Sequence, residues 1–464
     1  VAQEPRLPLD APAEGIPCVA VGEKDRPALL AGPLPTALLR LAVPAVASNL
    51  LMTLFASVDA FWVGTRLGPE AFAAVATSLF WIWITISIAE MVSVGLTAVA
   101  ARRHGEGGPD EAARLAGEAI VYAVGLGIAV AAAGTIFLDA MLGAMRVPAG
   151  IAALGRAYLG SYLWALPFVY GYFAVDAAFR AAGDTRTPFV ILSTSVGAAL
   201  VLDPVLILGL GGAPRLGVAG AAIATAVTRS GACVLGLVIL ARRGWIRIAL
   251  PRAVSIAAVS RVGLPTALTG VLFSLIYVAL TRTTTLFGTP ALAALGIGHR
   301  IESWLYMICV GVGAATAALV GQNLGAGRIG RAERAGWIAL AYACAPGAAA
   351  FALALAVPER LAALFTSDPA VAAEAARYLR IAAVSELFVC AEIVLEGALG
   401  GAGETVPPMI TSSLLTASRI PIAAWAAGVW GPAGIWWTIS LTAVGRGAAM
   451  MALWRLGRWK RRSV

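Results

Sequence analysis

From Leu34 almost to its C-terminus the chain is a succession of apolar stretches, each of about 20 to 30 residues and long enough to cross roughly 30 Å of hydrocarbon as a helix. They fall at 35–63, 71–101, 116–138, 157–181, 188–211, 217–242, 256–287, 291–320, 334–357, 376–399, 406–429 and 433–457. A backbone inside a bilayer must satisfy its own hydrogen bonds, so each stretch reads as one helix. Composition agrees: 60% of the 464 residues are apolar and only 13% charged, where a soluble domain carries charge on about a quarter of its positions. The expectation is an all-α integral membrane protein with twelve transmembrane helices, embedded in lipid.

The basic excess, 34 Lys and Arg against 25 Asp and Glu, could suggest nucleic acid as a partner. The arginines instead sit in short clusters between apolar runs: Arg102, Arg103 and Arg114; Arg180 and Arg186; Arg242, Arg243, Arg247 and Arg252; Arg328, Arg331 and Arg334; and the RLGRWKRRSV tail. Alternate connections are poorer in charge, so the positive-inside rule places both termini in the cytoplasm of a multi-pass protein of the inner (plasma) membrane. No role in nucleic-acid binding follows. The five cysteines form no C-x-x-C pair and have no His partners at metal spacing, so neither a disulfide framework nor a zinc site is implied. No nucleotide-binding Gly-rich loop is present, and two histidines far apart, His104 and His299, supply no nucleophile with its base. An enzyme is not expected, nor any cofactor or metal.

A shift of 220 residues lays the chain on itself. Gly105 and Gly107 fall on Gly325 and Gly327, Arg114 on Arg334, and AAGDTRTP ending at Pro188 on GAGETVPP ending at Pro408. Six helices per repeat is an even number, so the two halves enter the membrane from the same side, as parallel repeats with a substrate path between them. The expected division is a flexible tail over 1–33, read as cytoplasmic because it lacks the pattern of a signal peptide, then an N-terminal six-helix lobe over 34–242. A linker over 243–255, a second six-helix lobe over 256–457 and a basic tail over 458–464 complete it. Two lobes in one chain make a monomer sufficient.

A carboxylate in hydrocarbon costs several kcal/mol unless it is paired, hydrated or protonated. Asp59 and Asp203 lead the candidates: each lies fifteen residues after a proline near the start of its helix, Pro44 and Pro188, which sets the two acids at one depth. Two carboxylates facing each other in an apolar lobe do not both ionise cheaply, the property a proton carrier needs. Pro204 removes a backbone donor and predicts a bend just after Asp203. His299 and Glu302 share a helix face at i, i+3, leaving both a local ion pair and a part in substrate or proton handling open. Glu386, Glu392 and Glu396 lie in the tenth helix, the last two on one face. Glu90, Asp176, Arg229, Arg419 and Arg446 also lie in or near spans, with partners unassigned. The glycines and prolines of AAGDTRTP and GAGETVPP read as tight turns with a proline opening the next helix.

The segments 41–76, FRAAGDTRTP (179–188), LVLDPVLILG (200–209), LGVAGAAIAT (216–225) and LVGQNLGAGR (319–328) resemble, in order, the multidrug and toxic compound extrusion (MATE) transporters, and most of all their DNA-damage-inducible F-type branch. The resemblance implies a V-shaped pair of six-helix lobes and ion-coupled export of drug-like, cationic or amphipathic small molecules by alternating access. It also implies that Asp59 and Asp203 fall on the N-lobe cation and proton site, with Tyr158 and Thr225 as hydrogen-bonding neighbours or as packing residues. Where the family often has Asn four residues before the second acid this chain has Ala199, which weakens a sodium site more than a proton site. The seventh helix lacks the acid of other branches. The runner-up reading is a flippase for a lipid-linked or amphipathic substrate.

Overall fold

The computed structural model describes residue 30 and residues 32–67, 69–144, 149–366 and 368–461; the side chain of Asp59 and most of the expected N-terminal tail lie outside the described residues. The first half comprises α1 (Leu34–Leu67), α2 (Pro69–Gly105), α3 (Pro109–Ile136), a short α4 (Leu138–Ala144), α5 (Ala149–Ala181), α6 (Arg186–Leu208) and α7 (Val218–Arg242). The second comprises α8 (Ala253–Thr285), α9 (Gly288–Gly325), α10 (Ile329–Ala356), a short α11 (Pro358–Ala363), α12 (Pro369–Ala383), α13 (Glu386–Gly401), α14 (Val406–Ala417), α15 (Arg419–Trp430) and α16 (Pro432–Leu456). Eight of these helices, α1, α2, α3, α6, α7, α8, α9 and α10, are long and apolar enough to cross a membrane. The pair α12/α13 supplies the expected tenth span and α14/α15 the eleventh, each as two pieces.

The repeat seen in residues is a repeat of boundaries. Helices begin at Pro109 and Ile329, at Leu138 and Pro358, at Ala149 and Pro369 and at Arg186 and Val406, and end at Gly105 and Gly325, every pair 220 apart. Proline opens α2, α3, α11, α12 and α16 because the first helical turn needs no N–H donor from it. The AAGDTRTP turn works as expected: Gly183 takes φ 86°, and the Asp184 carboxylate caps α6 by accepting from the Arg186 and Thr187 amides at 3.0 Å each.

Helix α6 runs as one helix through Pro204 and stops at Gly209 in the left-handed conformation. Two spans of the second half, expected as single helices, are broken. The eleventh breaks at Ser418, three residues before Pro421, whose ring clashes with the carbonyl one turn back. The tenth span breaks at Val384 and Ser385, where i to i−3 backbone bonds and the Ser385 hydroxyl, which donates to the Ala382 carbonyl at 2.8 Å, tighten the chain.

The two lobes also exchange their first helices. The start of α1, from Leu34 to Ala42, packs in one apolar cluster with α9, α10, α13 and α16, while Val259, Val262 and Ala267 of α8 join the core of the first half. Residues 243–252 are therefore no free tether. Arg243 pairs with Asp184 at 2.6 Å, Arg247 pairs with Asp110, and Arg252 pairs at 2.8 Å with Glu118, which is fully buried and also holds Arg114 at 3.0 Å. At the other end of the chain the basic residues fold back as a helical turn, Arg458–Arg461, with Trp459 stacked on Trp454 and Lys460 paired with Glu333 at 2.7 Å. Leu30 and Gly32, bonded through their carbonyls to Arg328 and Arg331, lie at this same end. We refer to it as the terminal end.

Candidate functional site

The charged positions on the helices fall into three groups. The first is the pair of acid positions Asp59 on α1 and Asp203 on α6. The Thr185 hydroxyl donates to the Leu41 carbonyl at 2.9 Å, 144 residues away. Asp59 and Asp203 are also 144 apart, and α1 and α6 pack together as parallel helices. Eighteen residues on from that bond, the two Cα atoms sit at the same depth, about 27 Å along each helix. Asp203 is fully buried. On α7, Gly220 meets the Leu206 backbone, which sets Ile223 level with Asp203 in the antiparallel pair and the half-buried Thr225 half a turn further on. Tyr158 on α5 is buried. Elsewhere in this lobe Arg229 contacts the Met52 sulfur and lies 5.7 Å above the Tyr172 ring.

The second group lines the seam between the lobes. Glu392 on α13 pairs with Arg446 on α16 at 2.7 Å, both buried. Across the seam Asp176 and Arg180 on α5 pair at 2.9 Å, and Arg180 donates to the Ser93 hydroxyl on α2 at 2.8 Å. Glu90 on α2 and Glu396 on α13 interact electrostatically across the seam. Tyr306 on α9 is within reach of Glu90, Glu396, Glu392 and Arg446. Towards the terminal end the seam closes: the Gln322 amide donates to the Ala181 carbonyl at 2.7 Å, and α2 and α9 cross in a reciprocal contact. A Cβ on Gly105 would lie 2.0 Å from the Gln322 carbonyl oxygen, and one on Gly325 2.0 Å from that of Arg102.

The third group is inside the C-lobe. The Tyr378 hydroxyl donates to Glu302 at 3.0 Å, and His299 Nδ1 approaches the same carboxylate oxygen at 3.5 Å. The His299 ring lies edge-on to Tyr277 at 4.5 Å. Arg419, fully buried, donates to the Thr442 hydroxyl at 2.7 Å and the Ile439 carbonyl at 3.2 Å, with its guanidinium 5.9 Å above Tyr277. Glu386 is buried at the start of α13, within electrostatic reach of Glu302. Trp436, stacked edge-on to Tyr378, donates its indole N–H to Glu374 at 2.8 Å.

A buried Asp203, a seam lined with carboxylates and two like-oriented halves fit a transport path. The MatE family profile matches residues 44–205 and 265–425, more than half of the chain. This chain belongs to the MatE family. A probable multidrug resistance protein NorM of Thermotoga maritima is 29% identical over 441 residues, 92% of this chain and 93% of that protein. A FAD transporter of Shewanella oneidensis is 27% identical over 365 residues, 75% of this chain and 78% of that one. Among solved structures, a MOP superfamily transporter from Pyrococcus furiosus superposes with a TM-score of 0.87 at 22% identity, covering 94% of this chain and 99% of that one. That likeness fixes the fold as the two-lobed, V-shaped one expected, and the chain is a multi-pass membrane transporter and not an enzyme.

Within this MatE chain the residues singled out by sequence separate into distinct places. Glu392 and Glu396 face the lobe seam, whereas Glu386, on the same helix, turns into the C-lobe with His299 and Glu302. The i, i+3 pairing of His299 and Glu302 is real geometry, but Tyr378 holds the carboxylate more closely. Nothing in the sequence marks Tyr378, Tyr306, Trp436 and Thr442, since an aromatic or hydroxyl in an apolar run looks like packing until its polar atom is seen on a charge. One signal was available. Asp176 plus 220 is Glu396, so the repeat itself sets an acid at the same place in each half.

Proposed function

We propose that this MatE transporter is a secondary active antiporter that exports drug-like, cationic or amphipathic compounds in exchange for protons. The observation that carries the reading is the common depth of positions 59 and 203, set by the α1/α6 register, together with the burial of Asp203. Protons arriving from outside load this pair, the N-lobe repacks, and substrate is released outward. The return step takes the proton inward. Ion and substrate must favour different lobe arrangements, because a ligand that binds both equally shifts nothing. Sodium would need several oxygen ligands, and Ala199 offers none where relatives have an amide. The terminal end is assigned to the cytoplasm and the bilayer to the inner (plasma) membrane, on the strength of the arginine clusters.

The carboxylates around Tyr306 favour a cationic cargo. The FAD transporter of Shewanella raises an anionic dinucleotide as an alternative, and an acid-lined seam disfavours it by like-charge repulsion. A flippase reading would call for a seam lined by unpaired basic side chains, whereas Arg180 and Arg446 are each closed on an acid.

The deciding experiment is efflux of a fluorescent organic cation from proteoliposomes under an imposed proton or sodium gradient. Proton-driven efflux is expected from the wild type and its loss from Asp59→Asn and Asp203→Asn. Undiminished gradient-driven efflux in both variants removes the coupling assignment, and efflux driven by sodium alone replaces the proton.

A further inference from the structure

The seam cluster holds an acid imbalance that the N-lobe pair does not explain. The helices α2 and α13 run side by side towards the terminal end, and a Cβ on Gly400 would meet the Val94 side chain at 3.8 Å. One turn back along each helix stand Glu396 and Glu90, which therefore project towards each other across the two lobes. Both are only half-buried, so they border the space between the lobes. Their surroundings differ from those of their neighbours. Asp176, the repeat partner of Glu396, is closed on Arg180 at 2.9 Å, but the residue that corresponds to Arg180 in the second half is Gly400. Glu392 is closed on Arg446 at 2.7 Å. Neither Glu90 nor Glu396 makes a salt bridge to another described residue.

Charged and titratable groups reach the pair from the elements packed around it. From α5 come Asp176 and Arg180; from α9, Tyr306; from α13 itself, Glu392; and from α16, Arg446. Arg419 of α15 reaches Glu392 but is held by Thr442 and the Ile439 carbonyl. The helix α8 meets α2 through Gly263 against Met91, and its Arg261 is exposed, about 200° around the helix from that contact. Arg180 and Arg446 also act on Glu90 and Glu396, but each is closed on its own acid, so two carboxylates remain without an ion pair of their own and face each other only while the lobes are together.

We propose that Glu90 and Glu396 form a proton-binding site across the lobe seam, which holds one shared proton while the terminal ends are together and gives it up when they part. The closed seam brings two like charges into a poorly hydrated gap, where one proton removes the repulsion and lets one carboxyl donate to the other. Parting the lobes hydrates both groups and separates them, so each ionises as an ordinary glutamate. Raising the pH therefore opens the terminal end, and lowering it closes it. The site goes beyond the Asp59 and Asp203 assignment and rests on the antiporter reading only in taking the lobes to move. A cationic cargo bound between the two acids would substitute for the proton, which gives exchange at one place.

The test measures lobe position without transport. Spin labels at exposed Glu111 and Gly330, in the full-length protein with native cysteines replaced and reconstituted in lipid nanodiscs, report the distance between the terminal ends. Between roughly pH 5 and roughly pH 9 the wild type is expected to pass from the short to the long distance. Glu90→Gln and Glu396→Gln, each made separately, should keep the short distance at the upper pH, with a closed-to-open ratio raised about tenfold or more, equivalent to a midpoint moved by one unit. Glu90→Asp should still titrate, which separates loss of the proton site from damage to the fold. A wild type whose distance ignores pH overturns the proposal, and so do Gln variants that open at the wild-type midpoint. Loss of efflux in Asp203→Asn with an intact pH response here would support this site and the coupling pair separately.

Discussion

At the scale of single residues, the cost of a buried charge decides which positions tolerate change. Glu392 and Arg446 are both nearly inaccessible and 2.7 Å apart. Removing one partner leaves the other desolvated and unpaired, a penalty of about 3 to 5 kcal/mol in folded interiors. Glu392→Ala is expected to lower thermal stability in detergent sharply, while Glu392→Met with Arg446→Leu recovers much of it; equal stability of the single and double variants would remove the ion pair as the cause. Asp184 offers a pH-dependent counterpart outside the membrane spans. Burial alone raises its carboxyl, but bonds from the Thr187 hydroxyl and amide and the Arg243 guanidinium outweigh that and hold it below the usual carboxylate range. Because folded Asp184 binds its proton less readily than the unfolded chain does, the cap stabilises the fold above the ordinary carboxylate value of about 4 and is lost as pH falls through the lower folded value. Melting temperatures of wild type and Asp184→Asn should differ at pH 7 and draw together as pH falls from about 4 through the lower folded value.

At the scale of elements, the ends of α2 and α9 form a clasp that exists only because two glycines lack side chains. Gly105 faces the Gln322 carbonyl and Gly325 faces that of Arg102, and 102 and 105 are the repeat equivalents of 322 and 325. The contact is thus one interaction used twice about the pseudo-twofold axis. A Cβ 2.0 Å from a main-chain oxygen cannot be accommodated by rotating a side chain. Gly105→Val and Gly325→Val are each expected to leave a folded protein whose terminal end stays apart, read as a long distance between spin labels at Glu111 and Gly330 at every pH. A short distance in either variant would show that the clasp does not set closure. The repeat AAGDTRTP and GAGETVPP turns were legible as turns from Gly and Pro alone, and the family from five ordered segments. The break at Ser418 was not, because the proline responsible, Pro421, acts one turn upstream of itself and its repeat equivalent, Val201, allows a continuous helix.

At the scale of the molecule, the linker and the exchanged first helices tie the two lobes together. Arg243, Arg247 and Arg252 fasten residues 243–252 to the α5–α6 turn and α3, and α1 begins against the other lobe. All of these fastenings, with the basic turn Arg458–Arg461, lie at the terminal end. Its assignment to the cytoplasm predicts that a single cysteine placed at Lys460 in a cysteine-free chain is labelled by a membrane-impermeant reagent in inside-out vesicles and spared in right-side-out ones. Labelling from the outside would invert the topology and the direction of export with it.

The class, the twelve spans and the 220-residue repeat were legible in the sequence, and so was the equal spacing that singles out Asp59 and Asp203. These rest on local quantities: the length of an apolar run, the sign of flanking charge, and spacing along a helix of fixed rise. Even the common depth of Asp59 and Asp203, inferred from two prolines, reappears in the Thr185 to Leu41 bond, because parallel helices that start together keep pace. The tertiary structure alone decided how the remaining charges are shared out. It closed Glu392 on Arg446 and Asp176 on Arg180, gave Glu302 to Tyr378, and left Glu90 facing Glu396. A charge in an apolar run declares that it needs a partner, but the partner is chosen by which helix faces which, at what depth and rotation, and that follows from packing of the whole bundle.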